Sequence, residues 1–143
     1  VLIEENYDPS LPLVLGNREQ LIQVFHNLIQ NSYEAIDGEN GIIKLETSFR
    51  HASLISVLGG REKVELPITV TITDNGTGIP EDIEKSIFEP FITTKPNRTG
   101  LGLALVAKTI HGHGGVVELN ASFQETSITV FLPVYTEKNT QQA

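Results

Sequence analysis

Short runs of alternating apolar and polar residues along the chain predict strands, and longer runs of apolar residues spaced three and four apart predict helices. The alternating runs cover residues 1–5, 42–49, 65–73, 116–120 and 127–132. Residues 50–64 have the character of a hairpin extension between the second and third strands. The chain therefore predicts a mixed, mostly antiparallel sheet of about five strands, with the first strand at an edge.

Three stretches have helical spacing, at residues 18–36, 81–87 and 101–112. Asn17 is a suitable N-cap for the first helix, and Gln20 is placed to complete a capping box. Because helices in small domains bury one apolar stripe, we expect all three to cover one face of the sheet. The predicted fold class is therefore an α/β two-layer sandwich.

The chain has 143 residues, and we expect one domain over residues 1–135 with a polar tail at 136–143. It contains no long apolar run and no signal-peptide pattern, so a cytoplasmic location is expected. The absence of cysteine excludes disulfides and thiolate metal sites. A net charge of −8 disfavours nucleic acid as a partner. A polyanionic ligand would then be held by backbone N–H groups, a few basic side chains or a divalent cation.

The segment around which the rest is organised is the turn at residues 74–80, Asp-Asn-Gly-Thr-Gly-Ile-Pro, which directly follows the third strand. Asp74 would be a fixed hydrogen-bond acceptor at the end of a half-buried strand. Gly76 and Gly78 permit positive φ and close approach of a ligand to the backbone. The same pattern also fits a simple strand–turn–helix in which Asp74 only caps the turn.

Two asparagines, Asn27 and Asn31, lie four residues apart on the first helix, so their amides project from one face. A pair of amide oxygens can bind a hard cation such as Mg²⁺ together with phosphate oxygens and water. Taken alone, the pair is better explained as two solvated side chains.

The segment before the last helix contains two phenylalanines that can anchor a loop, Phe88 and Phe91, and then two basic residues, Lys95 and Arg98. It ends in Gly-Leu-Gly at residues 100–102 and enters the helix directly. A glycine-rich segment that opens a helix presents free N–H groups at the positive end of the helix dipole, which suits phosphate. Many such turns bind nothing, so this signal alone is weak.

In this order the four segments resemble the ATP-binding catalytic domain of sensor histidine kinases, in the superfamily that also contains gyrase, Hsp90 and MutL. The resemblance covers nearly the whole chain. The matching motifs correspond to the N box, the first glycine box, the F box and the second glycine box of that family: Asn27-x-x-x-Asn31, Asp74-x-Gly76-x-Gly78, Phe88-x-x-Phe91 and Gly100-x-Gly102. Within the family, residues 7–12, 59–61 and 88–96 are similar to NtrB-type nitrogen-regulation kinases.

The resemblance assigns the adenine end of the site to the first glycine box. It implies that Asp74 accepts a hydrogen bond from the adenine amino group and that Thr126 supports the adenine through Asp74 or water. The other residues expected to line the base pocket are Gly76, Gly78 and Ile79.

For the phosphates, the resemblance implies Asn31 as the Mg²⁺ ligand and Asn27 near the phosphates and metal-bound water. Lys95 is expected to reach the γ-phosphate, so Asn27 and Lys95 are the expected catalytic residues. Phe88 and Phe91 would hinge a lid over ATP. The other nucleotide contacts are expected along that lid and the helix after it: Arg98, Thr99, Gly100, Leu101, Gly102 and Leu103.

The chain departs from the family pattern at three positions. Arg98 stands where the second glycine box usually begins with a further glycine. Gln124 replaces a glycine before Thr126, and Ile128 replaces a phenylalanine. These departures bear on the lid and on Thr126 more than on Asp74.

By resemblance, the chain binds Mg-ATP and delivers its γ-phosphate to a histidine. In ATPase members of the superfamily a glutamate that activates water stands at the position of Asn27. An amide cannot act as a general base at neutral pH, so slow hydrolysis is expected and an ATP-hydrolysing clamp is disfavoured. The alternative is a nucleotide-gated interaction module with little phosphotransfer chemistry.

None of the four histidines is followed by the acidic pattern of an acceptor helix. His26 is expected to be structural. His111 and His113 flank the end of the last helix, where a cation suits the C-terminal dipole, and their spacing would suit zinc only with a third ligand that the sequence does not show. The acceptor is therefore expected on a dimerisation hairpin upstream of Val1. The chain would then be a monomeric fragment of a homodimeric protein. The resemblance further implies an NtrC-like response regulator and a PII-type signal protein as partners.

Overall fold

The structure, a computed structural model, describes residues 1–50, 54–56, 63–79, 102–122 and 124–135. Its strands are β1 (Leu2–Asn6), β2 (Ile42–Phe49), β3 (Leu54–Ser56), β4 (Lys63–Glu65), β5 (Ile68–Asp74), β6 (Val116–Ser122) and β7 (Glu125–Leu132). Its helices are α1 (Arg18–Ala35) and α2 (Gly102–Gly112). The predicted helix at residues 81–87 lies outside the described residues.

Five strands form one sheet in the order β1-β2-β5-β7-β6. The edge strand β1 is parallel to β2, and every other neighbouring pair is antiparallel. Strands β3 and β4 form a separate antiparallel hairpin. The predicted mixed sheet, its edge strand and the hairpin extension are therefore confirmed.

The third predicted strand, at residues 65–73, is wrong at its beginning. Glu65 belongs to β4, and β5 begins only at Ile68. Pro67 separates the two strands because it has no N–H to donate to a ladder. Its carbonyl oxygen instead accepts a hydrogen bond from the N–H of Arg50 at 2.7 Å.

Both helices pack on one face of the sheet and form the core with it. The buried residues that join the layers are Val24 and Leu28 from α1, Val106 and Ile110 from α2, and Ile43, Ile72 and Val130 from the strands. On the opposite face of the central strands, hydroxyl groups pair across the ladders. The paired oxygens are those of Ser48 and Thr69 at 2.6 Å, Thr73 and Ser127 at 2.9 Å, and Thr71 and Thr129 at 3.1 Å. The predicted two-layer α/β sandwich is confirmed.

The two described helices have nearly the predicted bounds. Helix α1 ends at Ala35, with Ile36 as its C-cap, and the Asn17 side chain accepts from the N–H of Gln20 as predicted for an N-cap. Strand β7 begins earlier than predicted and includes Thr126. Neither described helix is both long enough and apolar enough to cross a membrane.

Candidate functional site

The carboxylate of Asp74 is buried at the end of the central strand β5, with 5% of the residue exposed. Its Oδ1 accepts a hydrogen bond from the N–H of Gly76 at 2.9 Å. In the ladder between β5 and β7, Asp74 lies directly opposite Thr126, which is also buried. A Cβ atom at Gly78, whose φ is +80°, would lie 3.8 Å from Oγ1 of Thr126. The structure thus brings together Asp74, Gly78 and Thr126, although Asp74 and Thr126 are 52 residues apart in the sequence.

Gly76 has a packing role that the sequence did not reveal. Its φ is not positive. A Cβ atom there would lie 2.6 Å from the carbonyl carbon of Ala35 and would collide with its oxygen. The N–H of Thr77 donates to that same carbonyl oxygen at 2.8 Å. Glycine is therefore required at position 76 because the end of α1 approaches the turn closely.

Asn75, which sequence reasoning did not single out, fixes this turn to the beginning of β2. Its Oδ1 accepts from the N–H of Ile42 at 2.8 Å, and its Nδ2 donates to the carbonyl oxygen of Asn40 at 2.9 Å. Its own N–H donates to the carbonyl oxygen of Ile42 at 3.3 Å. The sequence signal for this role was an asparagine within a turn, because asparagine side chains commonly bond to nearby backbone groups there.

Asn27 and Asn31 lie half-buried on α1. Asn27 lines a cavity of about 360 Å³ between the two helices. The cavity is lined from α1 also by Gln20, Gln23 and Val24, and from α2 and the residue after it by Leu105, Val106, Lys108, Thr109, Gly112 and His113. Gln20, Gln23 and Asn27 of α1 therefore face the groove beside α2, whereas Asn31 is not among the residues that line this cavity.

Gly102 is the first residue of α2 and is exposed. No described atom lies within 4 Å of a Cβ atom built at this position, and its φ is not positive. Neither packing nor backbone conformation among the described residues explains a glycine here. Leu103 packs against the core, and Ile79 is half-buried at the end of the turn.

The ring of His113 makes hydrogen bonds that the sequence did not predict. Its Nε2 accepts a hydrogen bond from the N–H of Asn17 at 3.1 Å, and its Nδ1 lies 2.8 Å from the carbonyl oxygen of Thr109. Because a backbone N–H can only donate, Nε2 is the acceptor of this ring and Nδ1 faces the carbonyl oxygen as its donor. In a capping box the side chain of Gln20 would accept from the N–H of Asn17. That N–H donates to His113 instead, so His113 takes the place of Gln20.

The predicted residues of the lid lie outside the described residues: Phe88, Phe91, Lys95, Arg98, Thr99, Gly100 and Leu101. Within the part of the chain that is described, no group of three His, Cys, Asp or Glu side chains could hold a metal ion.

The contact between Gly76 and Ala35 predicts that alanine destabilises the protein at position 76 but not at position 112. We expect Gly76→Ala to lower the free energy of unfolding by about 1–3 kcal/mol, because the backbone of α1 must move. Gly112→Ala, where no described atom lies within 4 Å of the new Cβ, should change it by less than about 0.5 kcal/mol. Urea unfolding of both variants measures this difference, and equal effects would contradict it.

Comparison with known proteins places this fold and site in a family. The family described as histidine kinase-, DNA gyrase B-, and HSP90-like ATPase matches residues 16–136. The chain is 52% identical over 134 residues to the sensory histidine kinase/phosphatase NtrB of Rhizobium meliloti, covering 93% of this chain and 35% of that protein. It is 50% identical over 133 residues to the NtrB of Azospirillum brasilense, covering 93% and 33%. The chain thus spans about a third of the length of these relatives.

Solved structures show the same architecture. The catalytic domain of histidine kinase ThkA matches with a TM-score of 0.70 at 29% identity, over 92% of this chain and 78% of that one. Full-length ShkA in complex with AMPPNP matches with a TM-score of 0.71 at 26% identity, over 94% of this chain and 26% of that one. The chain belongs to the family of histidine kinase-, DNA gyrase B- and HSP90-like ATPases.

Proposed function

We propose that the chain is the Mg-ATP-binding catalytic domain of an NtrB-type sensor histidine kinase and delivers the γ-phosphate of ATP to a histidine on another domain. One arrangement carries the proposal. Helix α1, which bears Asn27 and Asn31, ends against the turn that follows the buried Asp74. This contact joins the helix that bears the two amides to the turn beside the buried carboxylate, which supports assigning them to one site.

The adenine end of the site is the pocket around Asp74. A carboxylate only accepts hydrogen bonds when ionised, and the exocyclic amino group of adenine is a donor. Thr126 lies opposite in the ladder, with Gly78 beside it. Ile79 and Gly76 complete the turn, so these five residues are the proposed base pocket.

The donor set on α1 fits Mg²⁺. Mg²⁺ takes oxygen ligands and is commonly bound by one or two protein groups together with substrate phosphates and water. We assign Asn31 as the protein ligand and Asn27 to the phosphates and metal-bound water. Bound there, the ion would neutralise charge on the phosphate oxygens.

The phosphates are assigned to the beginning of α2. Free N–H groups and the positive end of the helix dipole favour a polyanion there. No described atom lies within 4 Å of a Cβ atom at position 102, which supports close approach by a ligand there. Gly100, Leu101 and Leu103 would flank this contact. Phe88, Phe91, Lys95, Arg98 and Thr99 are proposed as the lid.

Transfer to an imidazole is favoured over hydrolysis because Asn27 offers no general base for water. In the transfer, a nitrogen of the acceptor histidine forms a bond to the γ-phosphorus while the bond to the β,γ-bridging oxygen breaks. ADP leaves, and the imidazole loses its N–H proton. The partners that fit are a homodimeric acceptor hairpin of the parent protein, an NtrC-like response regulator and a PII-type signal protein.

Phosphotransfer itself tests the proposal. The chain is mixed with the dimerisation hairpin of the Rhizobium meliloti relative and ATP labelled at the γ-phosphate. We expect acid-labile, base-stable label on the hairpin and none when its acceptor histidine is changed to glutamine. Nucleotide binding without labelling would favour the nucleotide-gated interaction module instead.

Calorimetric titration with ADP tests the adenine pocket. Asp74→Asn keeps the acceptor for Gly76 but presents an amide, so we expect about a 10- to 100-fold loss of affinity. Asn31→Ala should lose only the part of the affinity that depends on Mg²⁺. A well-folded wild-type chain that binds no ADP would contradict the proposal.

Gly102→Ala separates ligand contact from folding. Alanine is favoured over glycine in a helix by up to about 1 kcal/mol, so the variant should be at least as stable as wild type. The added methyl group should nevertheless lower the affinity for a non-hydrolysable ATP analogue about tenfold, because it occupies the space of a phosphate. Gly112→Ala, at the other end of α2, is the matched control. Unchanged affinity in Gly102→Ala would refute the phosphate assignment.

A further inference from the structure

The imidazole of His113 links the end of α2 to the beginning of α1. Its Nε2 accepts from the N–H of Asn17, and its Nδ1 lies 2.8 Å from the carbonyl oxygen of Thr109. Because a backbone N–H can only donate, Nε2 is unprotonated and Nδ1–H donates to Thr109. The ring is therefore a neutral tautomer with its donor toward the negative end of α2 and its acceptor toward the positive end of α1.

The position of this ring is fixed from both sides. A Cβ atom at Gly16 would lie 2.8 Å from Cδ2 of His113, so the ring lies directly against the backbone that enters α1. After His113, Gly114 adopts a φ of +77°. The N–H of Gly115 then donates to the carbonyl oxygen of Ile110 at 2.9 Å, which closes the end of α2 in a Schellman motif.

Helix α1 is consequently held at both ends, by different partners. Its last residue, Ala35, accepts from Thr77 beside the adenine pocket. Its N-cap, Asn17, donates to His113. The 18 residues of α1 span about 27 Å, and Asn27 lies near the middle.

We infer that His113 is a positioning residue for the metal-and-phosphate half of the nucleotide site, acting through the N-terminal end of α1. The inference rests on the proposed function. If α1 pivots about Ala35, a shift of about 2 Å at Asn17 moves Asn27 by roughly 0.9 Å and Asn31 by roughly half as much. Functional groups must be held to about 0.5 Å. Asp74, beyond the pivot, stays in place.

The experiment measures the affinity for ADP with Mg²⁺ and without it. The ratio of the two affinities reports on the metal-and-phosphate half of the nucleotide site. We expect His113→Leu to reduce this ratio about fivefold and to leave the metal-free affinity within about twofold. His113→Gln retains an acceptor and a donor and should preserve most of the ratio. His113→Ala serves the same purpose if His113→Leu does not fold.

A control separates positioning from general stability. Phe131→Leu removes buried volume on the sheet face away from the helices and should lower Tm without changing the ratio. In wild type, ¹⁵N NMR should show the Nδ1–H tautomer at His113.

Two results would overturn the inference, and they are distinguishable. If the ratio in His113→Leu equals that of wild type, whether both affinities are retained or both fall equally, His113 is a structural residue only. A folded wild-type chain without any ADP affinity would refute the proposed function and, with it, the positioning role.

Discussion

The structure depends on the close approach of the end of α1 to the turn after β5. Thr77 donates to the carbonyl oxygen of Ala35, and the missing side chain of Gly76 makes room for that carbonyl. This contact joins the helix that carries Asn27 and Asn31 to the strand that carries Asp74. The proposed site therefore depends on it, because the buried carboxylate and the two helical amides lie on different elements.

The sheet supplies the rigid frame for that contact. Strand β5 is central, with β2 and β7 on either side, so Asp74 is held by ladders from both directions. Asn75 adds bonds to the beginning of β2 just beyond the strand. The adenine half of the proposed site is therefore built into the most connected part of the fold. The phosphate half depends on two helix ends, which have fewer connections and respond more easily to substitution.

Sequence patterns predicted the elements that depend mainly on interactions between residues close in sequence. Alternation located β2, the helical period located α1 and α2, and the N-cap at Asn17 marked where α1 begins. The order of four motifs indicated the family, and the comparisons confirm it. The break at Pro67 was missed although proline signals it, because the apolar run on both sides favoured one continuous strand. The lid could be predicted only by resemblance, and its residues lie outside the described part of the chain.

The features that sequence reasoning missed share one cause, which is contact between residues distant in sequence. Gly76 fits a ligand-binding turn by pattern, yet its packing partner is Ala35, and no property of the turn itself reveals that. His113 follows a helix, where a cation suits the helix dipole, yet its partner at Asn17 is 96 residues away and uses Nε2 of the ring as an acceptor. A residue's type restricts what it can do, whereas its partner decides which of those roles it takes. The same glycine-rich composition thus has opposite meanings at two positions. At Gly76 the protein itself fills the space, while at Gly102 the described residues leave it open. That contrast supports close approach of a ligand to the backbone at Gly102.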